Sequence, residues 1–86
     1  MPRFFLHLDS EDGRIVDGEG SELPDGAAAC EEALEAARHM WAEAILRGKD
    51  LSRNSIVITD TGGLTVAVVP LIDGLPEGLR NRLTGS

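Results

Sequence analysis

Residues 3–16 read RFFLHLDSEDGRIV, and the fold turns on whether the polar centre of that stretch is a metal-binding loop or the turn of a β-hairpin. The first reading has some support over residues 8–19. Set on the calcium loop of a helix-loop-helix unit, Ser10 and Asp12 take ligand positions three and five. Gly13 takes the sharp-turn glycine, Ile15 the apolar eighth position and Glu19 the bidentate twelfth. Two features decide against it. Leu8 stands at ligand position one, where a carboxylate is required, and the residues before the loop follow Pro2 with the two-residue period of a strand. The stretch therefore reads as a strand over 3–8, a turn in which Asp12-Gly13 supplies a positive φ, and a return strand over 14–16.

A glycine-rich connection, DGEGSELPDG (17–26), follows. Gly18 and Gly20 match two glycines of a dinucleotide-binding loop, but the third falls at Leu23 and no βαβ unit surrounds them. From residue 27 to 47 the period becomes helical. Cys30, Leu34, Ala37, Trp41 and Ile45 form one apolar stripe, widened by Ala33, Met40 and Ala44, with Asp25 placed to cap its start and Gly48 to stop its end. Such a helix is about 31 Å long, against about 23 Å for a seven-residue strand, so one helix end should overhang the sheet.

NSIVITDTGGLTVAVVP (54–70) is a second hairpin, reversing at DTGG, with Asp60 as a turn former and Pro70 ending the strand. The order strand, strand, helix, strand, strand predicts an α+β two-layer sandwich, ββαββ, with about four antiparallel strands covered on one face by one long helix. Residues 1–70 form the single domain. Residues 71–86 have Gly74, Pro76 and Gly78 among their leucines and read as a flexible tail or short helical turn.

Bulk composition narrows the class. Apolar residues at 42 % and charged residues at 27 % place the chain among folded domains rather than disordered tails. The net charge of −7 is uneven: residues 1–43 carry −8 and residues 44–86 carry +1. That balance disfavours nucleic acid as a partner. The apolar opening run is too short for a signal peptide or membrane span, so no membrane partner is expected. Cys30 is the only cysteine, which makes a reducing cytoplasm the expected compartment.

The stretches MPRFFLHLDSEDGRIVDGEGSELPD, EEALEAAR, GKDLS, ITDTGG and VVP resemble an uncharacterised family of short bacterial proteins found largely in rhizobia and their relatives. Its members open on a Met-Pro-Arg-aromatic-Phe strand, pass through a Leu-Pro-Asp stretch into an alanine-rich helix and finish with a hairpin. The resemblance covers about residues 1–70 and implies no activity, substrate or catalytic residue. More weakly, ELPDGAAACEEALEAARHMWAEAI is similar to the segment of HicB-type antitoxins where Leu-Pro leads into a Glu-Glu-Ala-Leu helix. That likeness implies shared architecture in a small domain that binds a toxin protein.

No constellation for catalysis emerges. Ser10, Ser52 and Ser55 have no partnered base, Cys30 lies on the apolar stripe, and His7 and His39 find no third metal ligand. No cofactor, metal or enzymatic activity is expected. Two other surfaces are. Phe5, His7, Val57, Thr59, Ala67 and Val69 are predicted to point away from the only helix; this apolar face, or an edge strand, is left for a second copy or another protein to cover. The opposite face, with Phe4, Leu6, Leu8, Ile56, Ile58, Leu64, Val66 and Val68, should meet the helix. The alternative functional reading is an ion or small ligand held in the acidic loop 9–25 by Asp9, Asp12, Asp17 and Glu19.

Overall fold

A computed structural model describes residues 1–83. Strands β1 (Arg3–Ser10) and β2 (Gly13–Ile15) form the first hairpin, and the short strand β3 (Ser21–Glu22) follows it. Helix α1 (Gly26–Leu46) leads to β4 (Ser55–Thr59) and β5 (Thr65–Pro70), then to a 3-10 turn (Leu71–Gly74) and helix α2 (Glu77–Leu83). The antiparallel sheet has the order β2-β1-β4-β5, with β3 pairing the same side of β1 as β2. The fold is α+β, as the hydrophobic periods predict, with one strand more than expected. The hairpin reading of residues 3–16 holds: Ser10 pairs with Gly13, whose φ is 125°.

Helix α1 begins where the Asp25 side chain accepts the Ala28 N–H at 2.9 Å. Its buried line is Ala29, Ala33, Ala37, Trp41 and Ala44, one side of the predicted stripe extended to Ala29. Ala33, Ala37, Trp41 and Ala44 belong to both, Cys30 and Leu34 move to the flanks, and Ile45 is 62 % exposed. Small side chains on the sheet-facing line let the helix backbone approach the strands closely, so the larger residues are turned aside. Phe4, Ile56, Ile58 and Val69 meet this alanine line in the core. Ile45 and Leu46 are exposed at the helix end, in keeping with the expected overhang.

The facing of β5 differs from the sequence expectation. Ile56 pairs with Val69 and Ile58 with Ala67, so Ala67 and Val69 lie on the helix side, while Val68 pairs with Val57 on the other. Ala67 and Val69 therefore leave the predicted interaction face. Val68 joins it. The sequence TVAVV is apolar at almost every position, so alternation within the strand carries no direction. Facing is set instead by the register of the hairpin and by a bulge that leaves Val66 without a partner on β4. Leu64, predicted to face the helix, is 72 % exposed beside the turn.

Leu71 is a second correction. Predicted to begin the tail, it is fully buried in the core. Pro70 ends the strand, but the 3-10 turn folds back against α1. The Trp41 indole N–H donates to the Leu71 carbonyl at 2.7 Å, and the Leu71 N–H donates to Asn54 O at 3.0 Å. Gly74 permits the approach, since a Cβ there would stand 2.8 Å from Ala37 Cβ. Beyond the turn, Leu75 packs partly against the core and α2 is a short surface helix. Positions 84–86 of the expected tail lie outside the described residues.

Candidate interaction surface

Pairing across β1, β4 and β5 sets three rows on the helix-free face: Asp9–Ser55–Pro70, His7–Val57–Val68 and Phe5–Thr59–Thr65. The middle row dries toward its centre. His7 is 9 % exposed and Val57 6 %, whereas Val68 at the β5 edge is 54 % exposed. Of the six predicted face residues, Phe5, His7, Val57 and Thr59 are brought together here, and Ala67 and Val69 are not. His7, Val57 and Thr59 are buried within the chain, so the face expected to stand open to water is largely closed.

His7 owes its burial to polar partners. Its Nδ1 accepts the Asp17 backbone N–H at 3.1 Å, which assigns the ring proton to Nε2, and Nε2–H donates to Thr59 Oγ1 at 3.0 Å. The ring lies parallel to Phe5, with centroids 6.4 Å apart. Both imidazole nitrogens hold structure together.

Asp17 anchors the segment that interrupts the sheet edge between β2 and β3. One carboxylate oxygen accepts the Leu6 N–H at 3.1 Å, replacing the missing strand partner of β1. The other accepts the N–H groups of Glu19 and Gly20 at 3.3 and 3.0 Å. Partial burial pushes this carboxyl upward, but the donations from Gly20, Leu6 and Glu19 outweigh it and hold Asp17 below the usual carboxylate range. Gly20 has φ 70°, and a Cβ would come within 2.8 Å of Phe5 Cε2 and 2.9 Å of Phe4 O, so the segment can close on β1 only with glycine there.

The acidic loop does not converge. Arg14 binds Asp9 at 2.6 and 3.0 Å, and its hydrogen bond is the main cause of a lowered Asp9 carboxyl. Asp17 is taken by the three amides. Asp12 and Glu19 are exposed, and among the described residues no three acidic, histidine or cysteine side chains gather in the manner of a metal site. The Arg14–Asp9 pair and the Arg53–Glu11 pair at 3.4 Å instead rim an open depression of about 480 Å³, whose lining includes Val57, Thr65 and Val68.

Beside this depression runs an edge strand, an interaction surface the sequence allows for without the strand order that would say which strand it is. Leu71 N–H to Asn54 O fixes the phase of the β4–β5 ladder, so Val69 and Ala67 turn their backbone groups inward and Val68 turns its N–H and C=O outward. Among the described residues no strand pairs that outer side. Residues 61–72 also carry no charged side chain, and Leu64, Val66 and Val68 are 72, 43 and 54 % exposed. That uncharged run was the available signal. At the opposite edge, β2 is three residues long and carries Arg14.

No helix among the described residues is long and apolar enough to cross a membrane. No curated protein and no solved structure matches the chain. The opening strand, the Leu-Pro-Asp helix start and the closing hairpin fall within one family match, over residues 3–72: the chain belongs to the family described as Domain of unknown function (DUF6894).

Proposed function

We propose that this domain is a non-enzymatic interaction module that binds protein through the β5 edge and the Val68 end of the helix-free sheet face, where that face is open. The observation that carries the reading is an edge strand with no charged side chain, open at its centre. Soluble monomers blunt their edges with charges, prolines or short strands, and β2 follows that rule with three residues and an arginine. β5 has six residues and no charge, with Pro70 at one end and the Val66 bulge near the other, so Val68 between them stays open to backbone pairing. Adding a strand there would also cover the half-exposed end of the His7–Val57–Val68 row.

The net charge of −7 opposes a nucleic-acid partner, and a single cysteine suits a reducing cytoplasm. The reading is tested in native cells by a photo-crosslinking side chain in place of Val68, with the same group in place of Leu46, which is 88 % exposed on α1, as control. A protein adduct formed from position 68 and not from position 46 is the expected result. No adduct from position 68, or the same adducts from both positions, overturns the reading.

A further inference from the structure

We infer that the occupant of the β5 edge is a second copy of this chain, with the two β5 strands antiparallel about a twofold axis at Val68. This rests on the reading of that edge as a protein-binding surface and names what binds there.

Backbone geometry makes the edge its own complement. Val68 directs both its N–H and its C=O outward. An axis through that residue lets each Val68 N–H donate to the other copy's Val68 carbonyl, closing a ladder pair in an isologous contact. In this register Val66 of one copy faces Pro70 of the other. Pro70, which has no N–H to give, and the bulged Val66 then fall together at the ends of the contact, away from its centre.

Charge leaves this edge open to a second copy. A strongly acidic or basic peptide finds no opposite charge along residues 61–72, the longest uncharged run in the chain. Two copies, each carrying −7, repel through their acidic halves and meet least opposition along that run. The nearby Arg14–Asp9 and Arg53–Glu11 pairs are already neutralised within each chain. The contact joins the two sheets in the order β2-β1-β4-β5-β5-β4-β1-β2.

Because position 68 faces itself across the axis, a charge swap tests the register. Val68→Lys alone and Val68→Glu alone each place like charges opposite one another and should be monomeric where wild type is dimeric. Mixed in equal amounts, the two variants should form a heterodimer. Dimers that persist in both single variants, or a mixture that stays monomeric, overturn the twofold at Val68.

Amide exchange of the wild-type chain tests the same point without substitution. Raising protein concentration should slow exchange at Val68 several-fold while Val69, whose N–H faces β4, stays protected throughout. Unchanged exchange at Val68 together with a monomeric wild type overturns the second copy as occupant. The crosslinking adduct from position 68 then shows separately whether the edge binds a different protein.

Discussion

Asp17 shows how one carboxylate can substitute for a strand. The edge of β1 lacks a backbone partner between Leu8 and Phe4, and Asp17 fills the gap by accepting the Leu6 N–H while its own N–H engages His7. Its carboxyl is held below its ordinary value of 3.8. A carboxyl that is more acidic in the folded chain than in the unfolded one stabilises the fold above the unfolded value, and that contribution is lost as pH falls through the folded value. Wild-type stability to urea should therefore drop on acidification below about pH 4. Asp17→Ala, which leaves three N–H donors without their acceptor, should cost about 1–3 kcal/mol near neutral pH. It should also flatten the acid limb of the urea midpoint against pH. An unchanged acid limb would show that Asp17 does not carry it. None of this is legible in the sequence: the Asp17 bonds to Glu19 and Gly20 are ordinary local turn chemistry, but the one to Leu6 depends on where the chain crosses β1.

Secondary structure was legible where punctuation is strong. Asp25 caps α1 and Gly48 lies just beyond its end, and Asp60 accepts the N–H groups of Gly62 and Leu64 in the second hairpin as a turn former should. Facing was legible only where the pattern alternates. β1 placed His7 and Phe5 on the helix-free side correctly, whereas the uniformly apolar β5 left its side to be decided by pairing with β4. The periodicity finds the helix face but centres it on the larger residues, whereas the sheet meets its alanine side, because alanine lets two layers approach closely. The alanine line yields a test. Ala33 is fully buried, so Ala33→Leu should overpack the interface and destabilise by about 1–3 kcal/mol. Ile45→Ser, on an exposed position, should stay within about 0.5 kcal/mol. Chemical denaturation of both variants checks the contrast, and a reversed order would return the packing face to the larger residues.

The whole molecule is an acidic domain whose charge and backbone valence are unevenly placed. Its N-terminal half carries −8, its first edge is short and carries an arginine, and its last strand is uncharged and, among the described residues, open. Family membership adds no activity to this picture, so the physical asymmetry between the two edges carries the functional reading. If two copies meet at β5, their association works against the mutual repulsion of two chains of charge −7, and added salt screens that repulsion. Sedimentation equilibrium of the pure chain, across protein concentration at low and high salt, bears on this most directly. The apparent mass should climb from 9.2 kDa toward twice that value, and the climb should shift to lower protein concentration as salt rises. A mass fixed at 9.2 kDa under every condition would contradict self-association through β5.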